Sequence, residues 1–427
     1  MRFLRLTATA MMTCVLATSA FGSGFLIPEQ GAKASAMAGA FAATADDPSA
    51  IFYNPAGIAQ QREIAALAGT TLINFTNEFV GDPNSPVTSG VEAKYNRHTF
   101  NIPNMYAIYP IGQNLTVGVG VFAAFGLRTD WADPFPGRYI SKDADLKTTS
   151  VQPTIAWQTS DGRFAVGGGV EYRRARVILN ANQMRLNPFT GRITDVANTR
   201  LVSEYGSDIG FNAGILFKTA SDRWRFGLAY RSAMDIDLEG DAEITQIPTG
   251  NAEFDFAVSR QLPPDQPINT TLPFPEIVSL AAAFSPNENW DFEIDIIRTG
   301  WDRFKALDVE FETTPAASFT REQNWEDSSS YRLGVNHNAT EHWDVRFGFV
   351  YDENPQPVEA VSPLLPDSDR LGGSIGAGFH AGPFIIDGSL LVLHFKDRDT
   401  QGRNPEQFDG LYQTDALLWS VNLGYKF

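Results

Sequence analysis

Apolar and polar residues alternate along the last twelve residues of the chain, ALLWSVNLGYKF. Because successive side chains of a strand point to opposite sides, this pattern predicts a strand with one apolar face and one mainly polar face. The same alternation occurs in residues 224–231, 290–296 and 343–351, where aromatic residues stand at the ends of the apolar faces. Such placement is expected where strands cross the two interfaces of a membrane. The apolar face of the last strand carries Leu417, Trp419, Val421, Leu423, Tyr425 and Phe427.

The alternation predicts fourteen strands along the chain. Their connections switch strictly between tight turns, such as TSDGR and HAGP, and long polar or proline-rich loops, such as residues 241–274. Short turns at one end and long loops at the other are typical of outer-membrane barrels with both termini in the periplasm. The predicted strands are residues 64–80, 97–111, 114–123, 147–159, 163–181, 200–219, 223–240, 275–286, 289–313, 327–338, 341–352, 370–381, 384–397 and 413–427.

Composition narrows the class of protein. The chain is 43% hydrophobic and 12% aromatic. Beyond its first 22 residues it has no run of about 18 apolar residues, which excludes a helical membrane span there. A soluble exported β protein would leave the apolar last strand open to aggregation, whereas a barrel places that face in lipid. The sequence therefore predicts an all-β membrane protein, a 14-stranded antiparallel β-barrel in the bacterial outer membrane.

Residues 1–22 have the build of a secretory signal peptide, with a basic start, an apolar run and small residues at the end. Cleavage after Ala20 and cleavage after Gly22 both fit. Cys14, the one cysteine, lies in this leader, so the mature chain is expected to rely on no disulfide. The leader also holds two of the 33 Lys and Arg, which face 50 Asp and Glu. This acidity argues against nucleic acid as a partner.

Residues 23–62 differ from the rest of the chain because they are rich in Ala and Gly and show no strand alternation. Small residues let backbones approach closely, and the sequences DDPS and NPAG supply turns and helix starts. Side chains fill a barrel of about eight strands, so fourteen strands enclose a lumen that needs a plug. We therefore expect residues 23–62 to form a plug and residues 63–427 to form the barrel wall.

The stretch SGFLIPEQGAKASAMAGAFAATADDPSAIFYNPAGIA resembles the N-terminal hatch of the FadL family of outer-membrane transporters, which carry long-chain fatty acids or, in some members, aromatic hydrocarbons. The resemblance implies a fourteen-stranded barrel plugged by a small, mostly helical hatch whose extreme N-terminus reaches the ligand site. It also favours cleavage after Gly22. The matching positions are Gly24, Phe25, Gly31, MAGAFAATADD and Asn54-Pro55-Ala56, supported by the terminal Phe427.

The resemblance also implies roles for individual hatch residues. A Leu commonly follows Asn-Pro-Ala in the family, whereas Gly57 and Ile58 follow it here, which leaves the local packing open. The alternative for the Asn-Pro-Ala motif is a plain turn. The expected hatch or gating residues are Ser23, Gly24, Phe25, Asn54, Pro55 and Ala56.

The loop after the third predicted strand, FAAFGLRTDWADPFPGRYI, is rich in large apolar residues. Exposed apolar clusters mark binding surfaces, but the same residues also pack a loop onto the rim of a barrel. The family places a hydrophobic groove among its extracellular loops, and this loop is the candidate for part of it. The candidate groove residues are Phe122, Phe125, Leu127, Trp131 and Phe135.

The lumen offers candidate partners for a carboxylate. Arg173, Arg225, Arg231 and Arg346 fall on inward positions of the alternation, although inward arginines also pair with Asp or Glu of neighbouring strands. For exit, the family releases ligand sideways through a gap where the third strand is kinked. Gly118 and Gly120 permit a bend there, and their alternative role is to relieve crowding against the plug.

One motif is typical of an enzyme and not of a transporter. Ser374 in GGSIG matches the Gly-x-Ser-x-Gly pattern of hydrolases, but that motif needs a strand, a turn and a helix, and here a strand and a tight turn follow. The histidines show no metal-ligand spacing, so neither a metal nor a cofactor is expected.

The sequence as a whole predicts a passive transporter and not an enzyme. Its expected partners are a hydrophobic small molecule and outer-membrane lipid, and the chain is expected to be a monomer. Long-chain fatty acid is the favoured ligand because inward arginines suit a carboxylate. Uptake of aromatic hydrocarbons such as toluene is the alternative, followed by a pore for polar solutes and a barrel-bound lipid hydrolase.

Overall fold

The computed structural model of the protein describes residues 24–427, so the predicted signal peptide and Ser23 lie outside the described residues. The helices are α1 Ala32–Ala36, α2 Ala50–Tyr53 and α3 Ala252–Ser259, and short 3-10 helices cover Pro55–Gln60, Pro136–Tyr139, Trp301–Arg303, Pro315–Ala317 and Val358–Ala360. The strands are β1 Ala65–Gly81, β2 Glu92–Lys94, β3 Thr99–Ile111, β4 Leu115–Phe122, β5 Gly126–Asp130, β6 Asp143–Gln158, β7 Phe164–Asn187, β8 Arg192–Ser203, β9 Gly206–Lys218, β10 Trp224–Arg231, β11 Met234–Gln246, β12 Gln266–Phe274, β13 Ile277–Asn287, β14 Trp290–Thr299, β15 Ala306–Phe311, β16 Phe319–Glu322, β17 Ser328–Asn338, β18 Trp343–Asp352, β19 Arg370–Ala381, β20 Phe384–Phe395, β21 Arg398–Asp399 and β22 Gly410–Lys426.

These strands form a closed antiparallel barrel with fourteen positions around its circumference, which confirms the prediction. The seam joins β1 to β22 without a break, from Ala65 opposite Lys426 to Gly81 opposite Gly410. Each of six positions is built from two consecutive segments, and the two segments share at least one neighbouring position, with which they pair at different heights. These six pairs are β4 with β5, β8 with β9, β10 with β11, β12 with β13, β14 with β15, and β16 with β17.

The connections between positions separate the two ends of the barrel. Six short turns join β3 to β4, β6 to β7, β9 to β10, β13 to β14, β17 to β18 and β19 to β20. We call this the turn end, where both β1 begins and β22 ends, and the opposite end the loop end. None of the helices within residues 24–427 is long and apolar enough to span a membrane.

The structure extends several strands beyond their predicted bounds at the loop end. β12 and residues 192–199 of β8 lie in stretches predicted as loops, and β11 runs on to Gln246. The outward positions of β11 carry Asp235, Asp237, Glu239, Asp241 and Glu243. Because these segments have no apolar outward face, the alternation that identifies a membrane strand is absent from them.

The faces of the strands are sorted as predicted. In β22, Val421 is 47% exposed on the outside of the barrel, whereas the neighbouring Asn422 is 1% exposed in the lumen. Residues 24–62 fill the lumen at the turn end, and almost all of them are buried. Their helices are short, since α1, α2 and the 3-10 helix Pro55–Gln60 contain five, four and six residues. We refer to residues 24–62 as the hatch.

Candidate ligand site

Two carboxylates of β14 hold the middle of the hatch by its backbone. Asp295 accepts hydrogen bonds from the N–H groups of Phe41 and Ala42 at 3.1 and 3.0 Å. Glu293 accepts one from the N–H of Ala43 at 2.6 Å. Both carboxylates are buried. Breaking any of these bonds would leave a buried polar group without a partner, so these contacts fix this bend of the hatch to the wall.

Asn54 joins the end of the hatch to the barrel wall. Its Nδ2 donates to the carbonyl of Ala42 at 2.7 Å and to the carbonyl of Ile215 in β9 at 3.2 Å. Its Oδ1 accepts the N–H of Ala56 and so caps the 3-10 helix that follows. The side chain is fully buried. Asn54 therefore ties together two hatch segments and one wall strand, in addition to forming a turn.

Glycines on the inner wall allow the hatch backbone to approach closely. A side chain at Gly227 of β10 would collide with the carbonyl of Ala42, and one at Gly348 of β18 would collide with the backbone of Ala38. Gly376 of β19 is similarly placed against the hatch. The Ala- and Gly-rich composition of the hatch is thus matched by small residues on the wall that it touches.

The N-terminus of the described chain enters an aromatic cluster in the centre of the lumen. Gly24 has a φ of +62° and lies against Trp301 and Trp325, so a side chain there would be strained and crowded. Its N–H donates to the buried Asp367 of the loop before β19, at 2.8 Å. The ring of Phe25 lies with its centroid 4.6 Å from Trp301, 5.7 Å from Trp325, 5.9 Å from Phe304, 6.0 Å from Phe125 and 6.1 Å from Phe274.

The same N-terminal segment pairs with a break in the third barrel position. β4 ends at Phe122 and β5 begins at Gly126, while their partner β6 advances only from Ser150 to Lys147, so one residue is extra at the break. The N–H of Ile27 donates to the carbonyl of Ala124 at 2.8 Å. The N–H of Gly126 donates to the carbonyl of Phe25 at 3.0 Å. The hatch thus covers the backbone of the break from inside.

The break leaves a gap in the barrel wall. Pairing of β3 with β4 ends at Met105 and Val121, and β5 pairs with β6 alone. Residues 99–104 of β3 therefore have no strand partner on that side within the described part of the chain. Above the gap, His98 Nε2 lies 2.6 Å from a carboxylate oxygen of Asp130. We call this gap between β3 and β5 the window.

Three cavities lead from the loop end to the window. The uppermost, of about 270 Å³, shares Leu179, Leu201, Leu307 and Leu364 with a second of about 90 Å³. The second shares Phe25, Leu127, Leu146 and Leu365 with the third, of about 500 Å³, which opens at the window. Their walls are mainly apolar. Phe25 stands where the second and third cavities meet.

The predicted groove residues separate into two groups. Phe125 and Leu127 line the third cavity, and Phe122 lines it while also packing against Phe52 of the hatch at 5.2 Å between ring centroids. Trp131 and Phe135 instead stack on each other at 4.3 Å, buried in a core formed by the loops. None of the five is exposed, so this loop presents no groove on the surface; its apolar residues pack inward.

The four predicted arginines are all paired with carboxylates. Arg173 and Arg231 share Glu171, whose carboxylate lies 2.7 Å from Nη2 of the Arg173 guanidinium. Arg225, near the turn end, pairs with Asp291. Pairing with Asp or Glu of neighbouring strands is the alternative that the sequence left open for these inward arginines. Arg346 pairs with Asp344 at 2.6 Å and with Asp387 at 2.5 Å.

A fifth arginine reaches the third cavity. Arg370, the first residue of β19, is buried and its Nε donates to Asp352 at 2.6 Å. Its Nη2 is buried without a hydrogen-bond partner among the described residues, as is Nη1 of Arg173. Arg173 lies behind the rings of Phe125 and Phe274, whereas Arg370 lines the third cavity. The signal for Arg370 in the sequence is only its place at an inward strand start.

Gly118 and Gly120 lie beside the break, not in it. Both belong to the regularly paired part of β4. Side chains there would come within about 3 Å of Ile51 in the hatch, at 3.0 Å for Gly118 and 2.9 Å for Gly120. This position agrees with the alternative to the predicted lateral opening, namely that the two glycines relieve crowding against the hatch. The irregular residues are 123–125, a few positions further along the chain.

Ser374 has no catalytic surroundings. It lies in the middle of the regularly paired β19, and its hydroxyl donates to the carbonyl of Ala36 in the hatch at 2.8 Å. The strand, turn and helix of a nucleophile elbow are therefore absent from residues 370–381. No group of His, Cys, Asp and Glu that could hold a metal ion occurs in residues 24–427.

A closed fourteen-stranded barrel, plugged by its own N-terminal segment and lined with apolar cavities, defines a class of outer-membrane transport protein. Comparison of the sequence assigns the family. The chain belongs to the family described as outer membrane protein transport protein (OMPP1/FadL/TodX), whose profile matches residues 13–427. It is therefore a protein of the outer membrane.

Relatives with similar sequences cover nearly the whole chain. The long-chain fatty acid transport protein of Salmonella typhi is 24% identical over an alignment of 442 positions, gaps included, which covers 99% of this chain and 98% of the relative. The long-chain fatty acid transport protein of Escherichia coli O6:H1 is 25% identical over an alignment of 446 positions, with the same coverage. Outer membrane protein P1 of Haemophilus influenzae Rd is 24% identical over an alignment of 471 positions, again with the same coverage.

Solved structures share the fold at low identity. A FadL homologue of Pseudomonas aeruginosa superposes with a TM-score of 0.83 at 20% identity, covering 95% of this chain and all of the other. The toluene transporter TodX of Pseudomonas putida superposes with a TM-score of 0.73 at 16% identity, covering 95% and 99%. Proteins named for fatty acids and for toluene thus both resemble this chain.

Proposed function

We propose that the protein carries hydrophobic compounds across the outer membrane, with long-chain fatty acids as its main ligands. The observation that carries the proposal is the series of apolar cavities that runs from the loop end, past Phe25, to the window. An apolar chain gains about 0.8 kcal/mol for each CH₂ group that it buries. A long acyl chain therefore binds such a path far better than a polar solute does.

Phe25 and the N-terminal strand control passage in this proposal. Ligand that enters the second cavity displaces Phe25 from the aromatic cluster, because the ring occupies the junction of the second and third cavities. Movement of Phe25 also withdraws the backbone that pairs with residues 124–126. The ligand then passes sideways through the window into the outer leaflet. The part of the hatch that Asn54 ties to the wall stays in place.

Arg370 supports a carboxylate ligand over an aromatic hydrocarbon. Arg370 is one of the residues that line the third cavity, and its buried Nη2 has no hydrogen-bond partner among the described residues, so a carboxylate that reaches this guanidinium would satisfy the donor. Toluene offers no acceptor for it. The names of the sequence relatives agree with this preference, whereas the toluene transporters among the structural neighbours keep the alternative open to test.

Uptake measurements test the proposal directly. Labelled oleate and labelled toluene are supplied to a bacterial strain that lacks its own transporter and expresses this protein. Oleate uptake well above the empty-vector level supports the proposal. Uptake of toluene alone indicates that aromatic hydrocarbons, and not fatty acids, are the ligands. If neither compound is taken up, the proposed function is wrong. A Ser374→Ala variant should take up oleate as wild type does, because Ser374 only bonds the hatch.

Planar bilayer recordings separate the transporter from a pore for polar solutes. The hatch fills the turn end of the lumen, so the wild-type protein should show little ion conductance. A large, stable conductance of the intact protein would instead favour the polar pore.

A further inference from the structure

Four basic residues face outward on adjacent strands at the loop end. Arg128 lies on β5, Lys147 on β6, and Arg174 and Arg176 on β7. The register places Lys147 directly opposite Arg176, and Arg174 opposite Thr149, two residues along β6 from Lys147. We call these four residues the rim cluster. They form one compact basic surface on a chain whose formal charge is −17.

The rim cluster lies at the height of the outer lipid headgroups. Along β6, Trp157, Ile155 and Val151 form an exposed apolar stripe below Lys147. Trp157 marks the lower interface, ten residues from Lys147. A strand rises about 3.3 Å per residue and tilts by roughly 40° in such barrels. Ten residues therefore span about 25 Å across the membrane, which is the height of the apolar band.

The charges of the rim cluster are incompletely neutralised. Lys147 lies 3.0 Å from Asp145 and remains 64% exposed, and Arg128 lies 3.9 Å from Asp130. Arg174 has no carboxylate partner within residues 24–427 and stacks on the ring of Tyr205 at 4.5 Å. Stacking holds the guanidinium in place without satisfying its charge.

Arg176 is similarly free of acidic partners among the described residues. Its Nε donates to the carbonyl of Ser203 at 3.0 Å, and its guanidinium lies 5.9 Å from the ring of Tyr205. The outward face of β11 has the opposite charge, since it carries a row of carboxylates. The rim cluster therefore does not continue onto β11.

We propose that the rim cluster binds the phosphate groups of lipopolysaccharide in the outer leaflet. Guanidinium groups bind phosphate in two-point geometry, and such clusters at headgroup height recognise anionic lipids. The acyl chains of the same lipid lie along the apolar stripe that ends at Trp157. The proposed ligand is the lipid and not free phosphate, because the rim cluster and the apolar stripe form one continuous surface. This surface fits the headgroup phosphates and the acyl chains of the same molecule.

This site borders the window. Arg128, Lys147 and Tyr205 also line the outer mouth of the third cavity. A lipopolysaccharide molecule held by the rim cluster is therefore the immediate neighbour of the gap between β3 and β5.

The test uses the full barrel in mild detergent and two forms of lipid A with identical acyl chains, one bisphosphorylated and one dephosphorylated. Binding is measured by native mass spectrometry. The rim variant carries Arg128→Gln, Lys147→Gln, Arg174→Gln and Arg176→Gln. The matched control removes four other loop-end cations by Arg200→Gln, Arg298→Gln, Arg303→Gln and Lys396→Gln.

Bisphosphorylated lipid A should bind the wild type and the control alike. We expect the rim variant to bind it about tenfold or more weakly, as loss of charge-assisted bonds predicts. Binding should also weaken as salt is raised. Equal binding of the two lipid forms to wild type, or unchanged binding of the rim variant, overturns the proposal.

Two further arms keep the result clear. If the fourfold variant does not fold, Arg174→Gln with Arg176→Gln is tested alone, and unchanged binding of bisphosphorylated lipid A by that folded double variant overturns the proposal. Oleate is tested in parallel on the Arg174→Gln, Arg176→Gln double variant, whose two residues do not line the third cavity, and it should bind this variant as well as wild type. If only oleate binding depends on the rim cluster, the surface receives the carboxylate of a leaving ligand and the lipid proposal is wrong. The outcome is independent of uptake, so it can fail while the proposed function holds.

Discussion

The two halves of the lumen differ in the kind of contact that lines them, polar and close-packed at the turn end and apolar at the loop end. At the turn end, the hatch is held by hydrogen bonds from its backbone to Glu293 and Asp295 and by close contact with glycines of the wall. A cavity of about 60 Å³ lies between the hatch and the wall. At the loop end, apolar side chains surround cavities of up to about 500 Å³.

The proposed function needs a lumen that is closed to ions and still admits a hydrophobic ligand, and this difference between the two halves meets both needs. Directional polar contacts specify one arrangement and make displacement costly, because each broken contact leaves a buried polar group unsatisfied. Apolar contacts are not directional, so an aromatic ring can leave its place and be replaced by a ligand chain. Phe25 and the residues around Gly24 lie where the two halves meet.

The largest expected effect comes from forcing the hatch off the wall. In Gly227→Leu the new side chain meets the carbonyl of Ala42, and overpacking of this kind costs about 1–3 kcal/mol. We expect the hatch to shift and ion conductance in planar bilayers to rise far above the wild-type level. Gly373→Leu is the matched control, because a Cβ atom at this position would meet nothing within 4 Å. A folded Gly227→Leu barrel with unchanged low conductance would show that the hatch tolerates displacement at this contact.

Removing the extra residue of the break should close the window. Deletion of Ala124 brings β4 and β5 into one continuous register with β6, since the break contains one residue more than its partner. Oleate uptake should fall close to background, while the barrel assembles normally. Gly118→Val with Gly120→Val is the comparison, because it presses on Ile51 without changing the register, and it should slow uptake less. Wild-type uptake after the deletion would argue for passage straight through the barrel.

The sequence predicts the wall better than the site. A strand in lipid must alternate along its whole length, so β22 and the fourteen positions can be read from the sequence. The break at residues 123–125 depends on a register difference of one residue against β6, which no local pattern of the chain shows. Trp131 and Phe135 illustrate the same limit, because an apolar residue in a loop gives no sign of whether it faces solvent or a core formed by other loops.

Removing the N-terminal strand should weaken ligand binding without preventing assembly. In a variant lacking Ser23, Gly24 and Phe25, the aromatic cluster loses its central ring, and the backbone of the break loses its cover. We expect oleate to bind about tenfold more weakly to the purified protein, which corresponds to about 1.4 kcal/mol. Phe256→Ala, at an exposed phenylalanine of α3, is the control and should bind as wild type does. Unchanged oleate binding by the deletion variant would separate Phe25 from the ligand site.

The smallest expected effect sharpens the choice of ligand. In Arg370→Gln the lining of the third cavity loses one guanidinium, whereas Asp352 keeps its contact with Arg332 at 3.2 Å, so the barrel should fold. A hydrogen bond to a charged group contributes about 1.5–3 kcal/mol, and the exposed carboxylate of the ligand regains part of this from water. We therefore expect oleate affinity to fall several-fold and toluene affinity to stay the same.

Arg225→Gln is the control for this comparison, because Arg225 lies near the turn end and pairs with Asp291 away from the cavities. It should alter neither ligand. Equal loss of oleate and toluene in Arg370→Gln would indicate a change in the shape of the cavity, and it would remove the charge argument for fatty acids. Loss of oleate alone would tie the carboxylate to Arg370 and not to Arg128 or Lys147, the other two cations in the lining of the third cavity.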